Sequence, residues 1–506
     1  MTGHRTPKTD IQMKRVVIIG GGITGLAAAH RLLERSLESG KQIDLTVLEA
    51  GNRVGGIVQT RERDGFLLES GPDSFISEKP AALALVKRIG LESHLIETNK
   101  DNRRSFIVRQ GRLLPVPEGF QLLAPSRWWP FVKSDIFSLS GKARMALDLV
   151  LPRRSLNGNN SDESLAEFVR RRLGTEALER MAQPMVGGIY TADPERLSLQ
   201  ATMPRFLEME RDRRSLIRAL RKQNRQKVSD LSGTSSETSG ARYSLFLSFD
   251  RGMQVLTDTL EKTISSLGSQ LSTGMASGQT TIRVNTAIDS IAPEESVGGH
   301  SPRWKLTTSG NETLLADAIC VALPAYISSR LLGTVDPQLA AELAQISYAS
   351  SATINLSFKR DDIPHPLDGF GFVVPFIEKR SLIACTFSSV KFADRAPAGH
   401  VLLRAFVGGA LQPELLALDE DELLGRVLGD LRDLLGIEKA PLFTEVTKWE
   451  RSMPQYHVGH VARVQRIDAR LASVPGLALA GNAYSGLGIA DCIRSGEAAA
   501  DRIYED

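Results

Sequence analysis

The sequence predicts an α/β fold in its mixed α+β form, with two or three domains, and three observations predict it. A short apolar run enters a glycine-rich turn and a helix near the N-terminus, over residues 15–56. A second run of the same kind occupies residues 477–503. Between them, strand-like alternation keeps returning after helical stretches, which implies a second, sheet-based domain with helices alongside.

Arg15 to Ile19 is β-branched and leads into Gly20-Gly21-Gly22-Ile23-Thr24-Gly25, a G-x-G-x-x-G. Gly20 makes the turn, Gly22 lets the backbone approach a pyrophosphate, and Gly25 lets helix and strand pack closely. The helix buries Ala27, Ala28, Ala29, Leu32 and Leu33 and aims its positive N-terminus at the phosphates. A second strand, Ile43 to Leu48, ends at Glu49, placed to accept hydrogen bonds from a ribose. Strand, glycines, helix, strand and acid in this order predict a dinucleotide site rather than a plain turn.

Gly71-Pro72-Asp73-Ser74 is a turn by composition. A helix over Pro80 to Ile89 follows, then a strand from Ser105 to Val108 and a turn at Gln110-Gly111. Residues 120–155 interleave Trp128, Trp129, Phe131 and Phe137 with Arg127, Lys133, Lys142 and Arg144. Such a mixture suits a surface dipping into lipid headgroups, the alternative being an internal packing face with a solvated rim. Helices are expected over Leu165–Leu173 and Glu176–Met181, and the basic residues of Arg211–Lys227 read as a solvated helical face. Residues 229–240, SDLSGTSSETSG, read as a surface loop without function.

A helix opens at Gly252-Met253 and runs to Leu267, and Thr281–Ile288 alternates like one strand. Residues 303–323 and 351–410 are strand-rich, and 411–436 helical. The run Leu477–Ala480, the loop Gly481–Gly488 and a helix to Ile503 complete the chain. Unpaired N–H groups and a positive dipole at that helix start suit the negative pyrimidine edge of a reduced flavin.

With 506 residues, 42% hydrophobic and 24% charged, the chain is globular and too long for a single core. Its 62 basic and 59 acidic residues give a net charge of +3, which favours no nucleic-acid partner. Cys320, Cys385 and Cys492 fit no metal spacing and suggest buried thiols in a reducing compartment, so no metal is expected. The polar start MTGHRTPKTDIQMK lacks an apolar h-region, and no run of about 18 apolar residues occurs, so neither a signal peptide nor a membrane span is expected.

Glu49-Ala50-Gly51-Asn52-Arg53-Val54-Gly55-Gly56 resembles the E-x-x-x-R-x-G-G continuation of two-domain FAD enzymes of the amine oxidase superfamily, which favours FAD. Arg53 could compensate the cofactor's phosphate charge, and Gly56 would let the backbone approach it. Over nearly the whole chain the sequence resembles the FAD-dependent protoporphyrinogen IX and coproporphyrinogen III oxidases of haem synthesis. The resemblance rests on GGGITGLAAAHRL, Gly71–Ser74, PMVGGIYTADPERLS at 184–198, DGFGFVVP at 368–375, Phe387-Ser388-Ser389 with DRAP at 394–397, and GNAYSGLGIADC at 481–492.

It implies a discontinuous Rossmann-like FAD-binding domain (13–80, 241–300 and 445–506), a mixed-sheet substrate domain (81–119 and 301–444) and a helical membrane-binding subdomain (120–228), with 229–240 as a flexible loop. Cofactor contacts are expected at Gly20, Gly22, Ile23, Thr24, Gly25, Glu49, Ala50, Arg53, Gly56, Gly71, Pro72, Asp73, Ser74, Ile288, Trp449, Gly488, Ile489 and Ala490. Substrate contacts are expected at Arg109, paired with a propionate, and at Gly188, Phe370 and Phe372 in the cavity wall.

The resemblance further implies porphyrinogen oxidation by hydride transfer to FAD, with O2 reduced to hydrogen peroxide. The expected location is cytoplasmic, peripheral to the inner face of the membrane; a homodimer is left open, and no catalytic acid or base stands out. Two other readings remain: an amine or carotenoid oxidase of the same superfamily, and a non-catalytic FAD-stabilised scaffold at a membrane surface.

Overall fold

A computed structural model of the protein describes residues 13–154, 162–230, 246–272, 278–294 and 303–505. Strand β1 (Lys14–Ile19), helix α1 (Ile23–Ser39) and strand β2 (Ile43–Leu48) form the N-terminal unit, and β1 runs parallel to β2 with Ile19 opposite Leu48. The β-branched residues Val16 to Ile19 are all buried, as strands covered on both faces require. Helix α1 stops at Gly40, whose φ of 73° lets its N–H return to the Ser36 carbonyl at 2.9 Å.

Three remote segments complete a five-stranded, wholly parallel sheet. Thr280–Arg283 pairs with β2, Ala318–Val321 pairs with β1, and Leu477–Leu479 pairs with Ala318–Val321. Helix α1, the Gln254–Ser272 helix and the C-terminal helix Ile489–Glu505 cover one face, while Ile291, Trp304 and Leu306 of a three-stranded meander pack in the core on the other.

A second sheet of seven strands has the order 443–454, 348–359, 400–408, 382–387, 371–373, 106–109, 112–115. All its pairings are antiparallel except that of 371–373 with 106–109. The helix Glu420–Leu435 inserts Leu423, Val427 and Leu431 against one face; its start is capped by the Asp419 side chain accepting from Glu422 N–H.

Strand pairing draws the domain boundaries differently from the expected segments. Ala318–Val321, expected within 301–444, lies inside the parallel sheet between β1 and Leu477–Leu479. Phe443–Pro454 is an edge strand of the seven-stranded sheet and straddles the expected boundary at 444. The expected strand over 281–288 is two: it ends at Arg283 and resumes at Ile288. Between them Asn285 adopts a φ of 52°, and the N–H groups of Asn285 and Thr286 donate to Gly51 and Glu49 carbonyls at 2.7 and 2.8 Å.

The described part of residues 120–230 is built mainly of short helices, packed around Phe131, Phe168, Met181 and Phe206. The last of these helices runs to Asp230, so the first two residues of the expected 229–240 loop are helical, and the rest lie outside the described residues. Trp129, Leu139 and Val150 are 77%, 83% and 74% exposed. Trp128, by contrast, packs inward on Phe131. Among the described residues no helix is long and apolar enough to cross a membrane, and no cluster of three metal-ligating side chains occurs. The three cysteines are free thiols, all buried.

Candidate functional site

The turn after β1 is held by contacts that only glycine permits. A Cβ on Gly20, whose φ is 109°, would lie 2.5 Å from the Ala322 carbonyl oxygen, and one on Gly25 would lie 1.9 Å from the Gly20 oxygen. A Cβ on Gly22 would meet nothing within 4 Å. Gly22 is the N-cap of α1, no side chain caps it, and the first turn carries no acidic residue. The free N–H groups and positive helix end therefore face open space, which fits a bound diphosphate.

Three further segments converge on this turn. Gly55 N–H donates to the Gly21 carbonyl at 2.8 Å, so Gly55-Gly56 lies alongside Gly21-Gly22. Gly71 packs against Ile57, where a Cβ would lie 1.8 Å from the carbonyl oxygen. The C-terminal helix crosses α1 so closely that a Cβ on Gly496 would lie 2.2 Å from the Thr24 oxygen. The two glycine-rich turns, more than 450 residues apart in sequence, thus present their helix starts to one region.

Glu49 occupies the end of β2, its two oxygens accepting from Gly21 N–H at 2.8 Å and Gly51 N–H at 2.7 Å. Ala50 follows it on the exposed rim. The Arg53 guanidinium turns inward, donating to the carbonyls of Val54, Val58 and Gly56 at 2.9, 3.1 and 2.7 Å. Its visible role is to fasten the Gly55-Gly56 turn. Ile288 is buried in the core that also holds Leu48. At the other end, Gly488 precedes Ile489 and Ala490, and Asp491 accepts from Gly488 N–H at 3.3 Å while pairing with Lys79.

The Glu69–Ser74 loop is clamped by a network that sequence reading missed. Ser70 carbonyl accepts from Thr353 Oγ1 at 2.8 Å, Trp449 Nε1 at 3.0 Å and Arg404 Nη2 at 3.2 Å, and Arg404 also donates to Gly71 carbonyl. Asn355 Nδ2 holds the Glu69 carbonyl at 3.1 Å. Three strands of the seven-stranded sheet therefore fix the loop's backbone. An arginine inside the apolar run VLLRAFVG and an asparagine inside INLSF were the sequence signals.

Charge is concentrated there. Burial pushes the Glu69 carboxyl up to about 7, opposed by hydrogen bonds from Met253 N–H and Thr60 Oγ1 at 2.7 and 2.8 Å. Asp73 is half-buried and loses solvation, but Lys391, at 2.8 Å, and Arg404 overcome that cost and hold it well below the usual carboxylate range. Burial lowers the Arg404 guanidinium, opposed by Asp73 and Glu69. The C-terminal turn has its own fastener: Tyr456 Oη donates to Asn482 carbonyl at 2.6 Å and accepts from Gly486 N–H at 2.8 Å.

The expected substrate residues separate. Gly188 faces Val373, whose Cγ1 would lie 3.6 Å from an added Cβ. Phe372 does not share that wall: it is 2% exposed and packs with Val108 and Phe387 in the core beneath the Glu420–Leu435 helix. Successive residues of a strand point to opposite faces, so a wall that takes Val373 excludes Phe372. Phe370 is buried at the turn before that strand, its N–H on Arg104 carbonyl at 2.8 Å. Arg109 ends the neighbouring strand with its Nε buried and without a hydrogen-bond partner, as a group awaiting an acceptor would be.

The family model for flavin-containing amine oxidoreductases matches residues 23–504. Coproporphyrinogen III oxidase of Bacillus subtilis (strain 168) is 36% identical over 487 residues, covering 96% of this chain and 97% of the relative. The enzyme of the same name from Propionibacterium freudenreichii subsp. freudenreichii is 35% identical, covering 100% and 93%. A chloroplastic protoporphyrinogen oxidase of Nicotiana tabacum is 30% identical, covering 96% and 85%. A crystal structure from Exiguobacterium sp. 255-15, 31% identical, superposes with a TM-score of 0.81 over 98% of this chain and 99% of that one.

Proposed function

The chain belongs to the flavin-containing amine oxidoreductase family, and from that membership we propose that it oxidises coproporphyrinogen III to coproporphyrin III, with FAD as cofactor and O2 as final acceptor. The observation that carries this reading is the convergence of both glycine-rich helix starts with the clamped 69–74 loop, beside a sheet face that carries Arg109. Relatives named coproporphyrinogen III oxidase are 32–36% identical, against 28–30% for those named protoporphyrinogen oxidase, which favours the former substrate.

Bound FAD would supply the redox chemistry, as a two-electron acceptor reoxidised by O2 to give hydrogen peroxide, used three times for the six electrons that separate a porphyrinogen from its porphyrin. The residues do the binding and positioning. The start of α1 holds the diphosphate, and Glu49, which keeps spare lone pairs, takes ribose hydroxyls. Thr353, Arg404 and Trp449 set the backbone of Gly71 to Ser74, while Ile489 and Ala490, next to Gly488, offer helix-start N–H groups to the ring. Apolar walls at Gly188 and Val373 exclude water, and Arg109 orients the macrocycle through a propionate.

Mixed in air with each porphyrinogen separately, the purified yellow protein should generate porphyrin fluorescence and peroxide, faster with coproporphyrinogen III. Preference for protoporphyrinogen IX would select the other substrate, and silence with both would reject porphyrinogen oxidation. Arg109→Ala should raise KM for coproporphyrinogen about tenfold or more with little change in kcat, the cost of one charge-assisted pair. An unchanged KM would remove the propionate role.

The exposed Trp129, Val132, Leu139, Leu147 and Val150, beside Arg127 and Lys133, further suggest peripheral contact with an anionic lipid surface on the cytoplasmic side. Co-sedimentation with phosphatidylglycerol vesicles should fall at least about tenfold in the Trp129→Glu, Leu139→Glu variant, since each large apolar side chain contributes about 1.5–3 kcal/mol on burial. Equal sedimentation of variant and native protein would reject the contact.

A further inference from the structure

A cavity of about 440 Å³ opens where strands 348–359 and 443–454 meet the loop after Gly409, and its wall residues Gln455 and His457 flank Tyr456, the fastener of the C-terminal glycine-rich turn. That volume lies in the range of small-molecule sites. Three cations line it, Arg196, Lys448 and Arg451, with Glu450 as the single carboxylate. None of the three forms an ion pair among the described residues. Lys448 Nζ donates to the Leu416 and Leu418 carbonyls at 3.1 and 2.9 Å, leaving one of its three donors free.

Arg451 is placed there by an irregularity of the sheet. The pairing of the two strands slips between Ala349 and Ser351, and opposite that slip Arg451 takes a φ of 43°, with its N–H on Ser350 Oγ at 2.9 Å. A bulge of this kind re-aims a side chain, and a left-handed arginine is a strained choice that surrounding structure must support. Its guanidinium carbon lies 3.8 Å from the centre of the Tyr326 ring, which holds the charge at the rim without neutralising it. The remainder of the wall is partly apolar, through Ala349, Ala410 and Leu416. Unpaired cations beside an apolar wall suit an anion with an apolar body.

Gly409 and Ala410 also border a narrower cleft lined by Gly187, Thr191 and Ile383, so the two spaces share one wall, next to the position of Gly188. We propose that the basic cavity is a second tetrapyrrole site, separate from the flavin cavity, that grips the carboxylates of a porphyrin through Arg196, Lys448 and Arg451. The identity of the ligand rests on the proposed function; the carboxylate chemistry rests on the cavity alone. Such a site holds the macrocycle at the surface next to the place of reaction.

Coproporphyrin III, titrated into the holoenzyme and followed by fluorescence quenching, should bind at two equivalents per chain, and its tetramethyl ester should occupy at most one. The double variant Lys448→Glu, Arg451→Glu should weaken one class of site by about tenfold or more while the other is kept. Anaerobic flavin reduction by saturating coproporphyrinogen should be unchanged in that variant. The milder Lys448→Gln, Arg451→Gln pair should weaken the same class and controls for folding. A single equivalent in the native protein, or two equivalents retained in both variants, would overturn the second site. Loss of flavin reduction in folded variants would overturn its separateness. Native flavin that no porphyrinogen reduces would reject the proposed function, with the binding stoichiometry still deciding the cavity.

Discussion

Replacing Gly25 by alanine is expected to yield a protein that purifies without flavin. The new Cβ would lie 1.9 Å from the Gly20 carbonyl oxygen and 3.1 Å from its carbon, so either the turn or α1 must move. Neither can yield easily: Gly20 N–H is bonded to the Leu48 carbonyl at 2.8 Å, and Gly20 itself packs on the Ala322 backbone. Overpacking of this kind costs about 1–3 kcal/mol in the folded chain. Displacing the helix start by even part of an ångström also misaims the N–H groups that receive the diphosphate. The ratio of absorbance near 450 nm to protein should drop at least about tenfold, a change of about 1.4 kcal/mol in binding. Gly22→Ala separates the two effects. Its Cβ meets no protein atom and its φ of −69° suits alanine, so the flavin-free form should melt no lower than the native flavin-free form, yet bind FAD weakly. Full flavin occupancy in Gly25→Ala would remove the argument that this close approach builds the site.

Asp148→Ala should destabilise the helical region by about 3–5 kcal/mol, because it strands a buried charge. Asp148 and Arg172 are both 0% exposed. Asp148 Oδ1 accepts from Arg172 Nε at 2.8 Å, and its Oδ2 accepts from Ser215 Oγ at 2.6 Å and Ile217 N–H at 3.1 Å. Alanine would leave the guanidinium without its carboxylate and two further donors without an acceptor. The denaturant midpoint followed by tryptophan fluorescence should fall, while flavin content at low denaturant holds, since the pair lies outside the glycine-rich turns. Adding Arg172→Met should recover part of the loss, because an apolar side chain carries no stranded charge. A midpoint within about 0.5 kcal/mol of native would show that Glu210, 3.5 Å from Arg172 Nη1, suffices as the partner.

The strands, glycine-rich turns and helix starts at both ends of the chain were legible in the sequence, and the faces taken by the expected substrate residues much less so. Arg15 to Glu49 reads correctly because strand, turn and helix there follow from local rules: β-branched alternation, glycine where the backbone is crowded, and an apolar helical stripe. The Gly481–Gly488 turn reads for the same reasons. Phe372 reads incorrectly because an aromatic residue in an apolar strand carries no mark of which face it takes; packing of the Glu420–Leu435 helix on one side of the sheet turns Phe372 to that helix and Val373 to Gly188. Arg404 and Asn355, polar residues in apolar runs, were passed over in the sequence because their partner, the Ser70 loop, lies hundreds of residues earlier.

The sequence by itself determined the two helix starts, the glycines that shape them and the family to which they belong, since each is set by residues within a few positions of one another. Only the tertiary structure decided that Ala318–Val321 stands between β1 and Leu477–Leu479, that three strands clamp the Ser70 carbonyl, and that Arg196, Lys448 and Arg451 surround one cavity. Those facts depend on which distant strands pair and in which register. Strand pairing satisfies backbone groups equally well for many partners, and the choice is made by the burial of whole faces.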